Sequence, residues 1–147
     1  MAHVRKQIRD RIASVLSSGV TLVSGRVYPS RVYPLTEANL PAITVYFGVE
    51  TSSLLNMSTK DMIRTATINV DAYVRVTGTF DDDIDAICVQ IEAAMAGDFT
   101  VNGLAKDAIL TSSEIDFSGD TEQPIGVARL TYTVRYVTAN SDAEAAK

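Results

Sequence analysis

Apolar residues recur at helical spacing in two parts of the chain and at every second position in two others. Val4, Ile8, Ile12, Val15 and Leu16 form one stripe of an N-terminal helix, with Gly19 after Ser17-Ser18 as its C′ residue. Ile84, Ile87, Cys88, Ile91, Ala94 and Met95 form the stripe of a second helix, from about Asp81 to a closing Gly97. The period changes to two in Ala66, Ile68, Val70, Ala72, Val74 and Val76, whose intervening residues Thr65, Thr67, Asn69, Asp71, Tyr73 and Arg75 share the other face. Val127–Thr138 repeats the pattern, with Ala128, Leu130, Tyr132, Val134 and Tyr136 on one face and Arg129, Thr131, Thr133 and Arg135 on the other.

Shorter signals fill the gaps. Arg-Val-Tyr-Pro occurs at residues 26–29 and again at 31–34, predicting a short edge strand or irregular extended segment, because proline cannot donate to a central ladder. Ile43, Val45 and Phe47 alternate with Thr44 and Tyr46, a half-buried strand over Ala42–Phe47. Gly48 to Lys60 reads as a long loop or the tip of a long hairpin, Ala108–Ile115 as a strand, and Ser118–Gly126 as a turn-rich loop. The order α-β-β-β-α-β-β predicts an α+β fold: a two-layer sandwich, its mostly antiparallel sheet carrying two helices on one face. Residues 1–138 form one domain, and the small, polar residues 139–147 a flexible tail.

Composition narrows the chemistry. With 147 residues, 46% of them hydrophobic, the chain can bury a core without staples. One cysteine excludes an internal disulfide and a cysteine-based zinc site, and one histidine leaves a Ser-His-Asp triad dependent on His3 near the N-terminus. Cys88 lies on an apolar stripe, where a thiol is structural. No phosphate-binding glycine loop and no nucleophile elbow occurs. The acids Asp81, Asp82, Asp83 and Asp85 could bind a cation, but at a helix start they serve as capping and dipole-complementing groups. The longest apolar run, near Ala42–Val49, is far shorter than the ~20 residues of a membrane span. The expectation is a structural or binding protein, not an enzyme, with no cofactor or metal and no membrane partner.

A net charge of −5 argues against a general nucleic-acid binder. The charge is uneven, with residues 1–35 carrying +5 and the remainder −10. Opposite-sign surfaces can meet head to tail between copies, although a solvated basic helix face would give the same count. Tyr28, Tyr33, Tyr46 and Tyr73 suit either an interface or ordinary cross-strand packing.

Several phrases are similar to one family. They are Ile8-Arg9-Asp10-Arg11-Ile12, Gly25-Arg26-Val27-Tyr28, Arg31-Val32-Tyr33-Pro34-Leu35 and Leu40-Pro41-Ala42-Ile43-Thr44-Val45-Tyr46. Asp82-Asp83-Ile84-Asp85-Ala86-Ile87, Gln90 to Met95, and the terminal strand Ala128 to Thr138 follow them. In this order they resemble the tail terminator (tail completion, minor tail protein U-like) family of long-tailed bacteriophages, over most of residues 4–138. The resemblance implies a virion protein, assembled in the host cytoplasm, whose copies form a six-fold ring on the head-proximal end of the tail tube. Such a ring stops tube polymerisation, meets the head-closure or connector protein, and lets DNA pass through its lumen. It transfers no catalytic residue.

The residues offer candidates for each surface. Leu54, Leu55 and Met57 would dock on the tube protein, with Ser112–Gly126 a candidate for the head side. Arg5, Arg9, Arg11, Arg26 and Arg31 would form an inter-subunit basic patch. Glu50, Asp61, Asp71, Asp116, Asp120 and Glu122 would face the lumen and repel phosphate. The alternatives are another neck protein such as a head-closure protein, a tail tube subunit, and a small enzymatic or ligand-binding domain.

Overall fold

The computed structural model describes residues 2–29, 40–76, 78–117 and 125–147. The first helix, α1 (Val4–Gly19), buries Val4, Ile8, Ile12 and Leu16. His3 caps it, its Nδ1 accepting from Arg5 N at 3.1 Å. Burial, then the positive charge of Arg5 and Arg64, lowers the His3 pKa, which favours the neutral ring that can accept this bond. A short 3-10 turn (Thr21–Val23) leads to β1 (Val27–Tyr28), which pairs parallel with β2 (Ala42–Leu54). Then follow β3 (Met62–Arg75), α2 (Phe80–Ala96), β4 (Asp107–Phe117), β5 (Ile125–Ala139) and β6 (Asp142–Ala146). The sheet order is β1-β2-β3-β5-β4, with β6 on β5, and every pairing except β1 with β2 is antiparallel. The α+β expectation holds: α1 packs on β2 and α2 on β3 and β5, and the core lies between these layers.

The spine is β3–β5, which pair without a break from Met62↔Thr138 to Arg75↔Ile125. Even-numbered residues of both strands, including Ile68, Val70, Leu130, Tyr132 and Val134, enter the core beneath the helices. Odd-numbered residues form the opposite face, to which no described helix packs. That face is held by polar pairing. Asp71, only 1% exposed, accepts two bonds from Arg129 (Nε 3.0 Å, Nη2 3.2 Å) and the hydroxyls of Tyr46 (2.9 Å) and Tyr73 (3.4 Å). Burial and donation to Asp71 push the Tyr46 phenol up to about 12, and burial raises Tyr73 as well. Thr131 donates to Asn69 at 3.0 Å, and Arg135 pairs with Asp107 on β4.

Three local features depart from the sequence reading. First, β2 does not stop at Phe47. It continues to Leu54 through a bulge at Gly48-Val49, because Thr67 Oγ1 accepts from Val49 N (3.1 Å) and donates to Val49 O (2.9 Å). Second, residues 142–146, expected within a flexible tail, form β6. They run along the stretch of β5 that β4 leaves bare, tied down by Gln7 Nε2 to Glu144 O (2.9 Å) and by the Lys147–Asp61 ion pair (3.0 Å). Third, Gly19 and Gly97 do not act as left-handed C′ residues. Gly19 is the last residue of α1, not a C′ residue, and a Cβ there would lie 2.9 Å from Ala94 Cβ of α2. Gly97 caps α2 in a right-handed conformation (φ −71) instead of the left-handed one.

Gly126 is the tightest of these positions. A Cβ on it would fall 2.0 Å from Cε2 and 2.2 Å from Cζ of Phe80, the ring that begins α2. Gly126→Ala should therefore cost about 2–3 kcal/mol by overpacking. Truncating the ring in the same chain, Phe80→Leu, should recover part of that loss in a double-mutant cycle of denaturant midpoints. An unchanged midpoint for Gly126→Ala alone would show that the ring has somewhere else to go. Asp71→Asn should cost about 2–3 kcal/mol, since it removes the buried charge opposite Arg129 and leaves one acceptor oxygen for the guanidinium and two phenols.

The raised phenols also set an alkaline limit. A phenol whose folded pKa lies above its unfolded value of about 10 contributes stability that is intact below pH ~10 and lost as the pH rises toward 12. Tyr46 should thus stay un-ionised at about pH 11 in the native chain and titrate lower in Asp71→Asn, as phenolate absorbance reports.

Candidate functional site

Beyond the helices the β2–β3 hairpin projects, and residues 51–60 are all exposed. Its tip is ordered by its own bonds. Leu55 N donates to Asp61 O (2.7 Å), Lys60 N to Asn56 O (2.8 Å), and the Asn56 side-chain oxygen accepts from Ser58 N (2.8 Å) and Thr59 N (3.4 Å). Lys60 adopts a left-handed conformation (φ 57) to close the turn. Leu54, Leu55 and Met57 are 46%, 55% and 72% exposed, so the three apolar residues do not fold back over the sheet. A grouped apolar surface on an ordered polar excursion is what a docking element requires.

The bulge in β2 decides the place of Glu50. Before it, Ile43, Val45 and Phe47 face the helices; after it, Glu50 pairs with Ala66 and takes the helix side instead. There it accepts from the Tyr136 hydroxyl and lies 3.4 Å from Arg5 of α1 and 3.6 Å from Arg64 of β3. The Arg64 guanidinium also stands 6.0 Å above the Tyr136 ring. Burial, and then the bond to Glu50, raises the Tyr136 pKa. This network pins the start of α1 to the end of the sheet.

Of the sequence-derived acids, Asp71 and Asp116 lie on the uncovered sheet face and Glu50 on the helix side. Asp71 is buried against Arg129, Glu50 sits under α1, and Asp61 is paired with Lys147, so all three are neutralised within the chain. Asp116 is exposed on β4, while Asp120 and Glu122 lie outside the described residues. The basic patch is also partly engaged internally. Arg5 meets Glu50, Arg11 meets Asp98 (3.0 Å), and Arg26 Nε donates to Pro41 O (2.9 Å). Arg9 follows Arg5 by one helical turn, its Nε buried without a partner. Arg31 lies outside the described residues. Arg64, Arg129 and Tyr136, which organise these networks, were not singled out by spacing. The signal was present in the matching parity of the β3 and β5 faces.

Other candidates resolve simply. Asp81, Asp82 and Asp83 occupy the first turn of α2, where Thr79 Oγ1 donates to Asp83 at 3.0 Å. Among the described residues no three His, Cys, Asp or Glu side chains come together as metal ligands. Cys88 is half-buried on α2, its thiol pKa raised by burial and by Asp85 and Glu92. An open groove of about 470 Å³ between α2 and the ends of β2 and β3 is lined by Leu22, Pro41, Val74 and Ile87, with Arg75 and Asp83. No described helix is long and apolar enough to cross a membrane.

Known proteins place this geometry. The fold is similar to a chain in the solved structure "Virion of native gene transfer agent (GTA) particle", with a TM-score of 0.53, 15% identity and 93% coverage of each chain. No curated protein matches the sequence. The family described as phage minor tail protein U matches residues 3–136, nearly the whole described fold. The chain therefore belongs to the phage minor tail protein U family and is a structural component of the phage virion.

Proposed function

We propose that six copies of this chain close into a ring on the head-proximal end of the tail tube, end tube growth there, and present the surface that joins the head. The observation that carries this reading is the ordered hairpin tip with Leu54, Leu55 and Met57 turned to solvent. An apolar group held rigid before binding loses little entropy on docking, which suits a permanent junction with the last ring of tube protein. The opposite end of the molecule is left for the head-closure or connector protein; of the head-side candidate Ser112–Gly126, residues 112–117 are strand and 118–124 lie outside the described residues.

For the passage of DNA, the uncovered sheet face, which holds Asp71 and Asp116 of the proposed acidic lumen, is the candidate surface. The uncovered sheet face carries Thr67, Asn69, Thr131 and Thr133, and two of its three arginines, Arg129 and Arg135, are paired with Asp71 and Asp107. Register adds Glu114 and Asp116 of β4 to the same face. A face whose arginines are largely paired with acids offers phosphates little counterion-releasing grip, which is what sliding needs. This pairing supports that face as the channel surface.

The triple variant Leu54→Ser/Leu55→Ser/Met57→Ser should fold with little change in melting midpoint, because all three side chains lie largely outside the core. It should leave tails over-long or unfinished and heads detached, as electron microscopy of assembled particles would show. Tails of normal length would remove the tip from the docking role. Particles made without the chain discriminate the rival: normal tails with empty connectors would favour a head-closure protein.

A further inference from the structure

Residues 97–106 join α2 to β4 in a connection with strained backbone. They hold Val101 (φ 51), Asn102 (φ 56) and Gly103 (φ 81) consecutively in the left-handed region. A β-branched residue there is strained, and it persists only where its surroundings hold it. Val101 is held because its side chain, 1% exposed, is part of the core. Asn102 N donates to Asp98 Oδ1 (3.0 Å), and Asp98 Oδ2 takes Arg11 of α1 (3.0 Å). Val101 N donates to Asp98 O (2.9 Å) and Ala105 N to Thr100 O (2.9 Å). Closing the core accounts for Val101 and Ala105. It leaves Phe99 unexplained, since this stiff loop keeps the ring 55% exposed.

The loop lies at the end of the sandwich from which the hairpin projects. α2 starts against Gly126, which pairs with Val74 at the end of β3 remote from the hairpin. The helix runs back until Asp98 meets Arg11. β4 then enters the sheet at Asp107↔Arg135, three residues short of Thr138↔Met62 at the base of the hairpin. Lys106 N fixes that entry by donating to Arg135 O (2.7 Å). In the strand order β3-β5-β4, two strand spacings, about 10 Å, separate β3 from β4. The hairpin tip and Phe99 therefore fall within the footprint of a single protein–protein contact.

We infer that Phe99 is a second docking contact for the tube protein, seated in an apolar pocket on the same ring of subunits that receives Leu54, Leu55 and Met57. A single projecting tip leaves a subunit free to tilt about it, and a second anchor removes that freedom. An aromatic ring held in place before binding gives large contact area for little lost freedom. The inference rests on the docking role proposed above for the tip and adds the residue that fixes orientation.

Site-specific photo-cross-linking in assembled particles tests it. A benzophenone amino acid placed at position 99 should label tube protein, as should one placed at position 57. Phe99→Ser should fold with little change in melting midpoint, because the ring is more than half exposed. It should cut the yield of finished, head-joined tails about tenfold, the loss expected of an aromatic anchor. Phe99→Tyr, which keeps the ring, should retain most of that yield. If position 57 labels tube protein while position 99 labels only another copy of this chain, a head-side protein or nothing, the inference is overturned and the tip keeps its role. Normal tails from Phe99→Ser overturn it equally. If neither position labels tube protein, the docking role of the tip falls, and that of Phe99 with it.

Discussion

The unbroken ladder between β3 and β5 is the constraint on which the other features depend. Fourteen consecutive residue pairs in strict alternation divide every side chain on these strands between two faces. A slip of one residue would turn Ile68, Val70, Leu130 and Val134 to solvent and drive Asp71 and Arg129 under the helices. The register is thus fixed twice, by apolar burial on one face and by the Asp71–Arg129 pair on the other. The two helices have one sheet face to cover, and Gly19 and Gly126 permit the close contacts with which they cover it.

The same alternation explains where the bulge matters. By inserting one residue at Gly48-Val49, β2 exchanges its two faces halfway along its length. The proximal half sends Ile43 and Val45 into the core, and the distal half sends Glu50 to the start of α1. Past the Glu50 network the strands leave the helices behind and continue as a hairpin, so the projecting tip grows directly out of the most rigid part of the sheet.

Much of this was legible in the sequence because it is periodic. The stripes of α1 and α2 and the faces of β3 and β5 follow from spacing alone, and so does the α+β layer order. What could not be read was non-local or locally ambiguous. Glu50-Thr51-Ser52-Ser53 has the composition of a loop, and only pairing with β3 makes it strand. Asp142–Ala146 has no β-propensity to speak of, and it is a strand because β5 is bare there. Asp71 was legible as a polar-face acid, but its partner is 58 residues away and its burial depends on two tyrosines from neighbouring positions. The exposed tip residues Leu54, Leu55 and Met57 were identifiable as an apolar group, whereas their solvent-facing orientation depends on the Asn56 turn.

Charge is the property that changes most between sequence and fold. Summed along the chain it suggests a basic head and an acidic body, and a channel lined with acids. Folding instead consumes much of it: Asp71, Asp107, Glu50, Asp61 and Asp98 all meet cations of the same chain. Charge spent inside the fold is unavailable to a partner, so the field that a neighbour or a passing phosphate meets is set by which acids and arginines the sheet register brings together, and not by the sum along the chain.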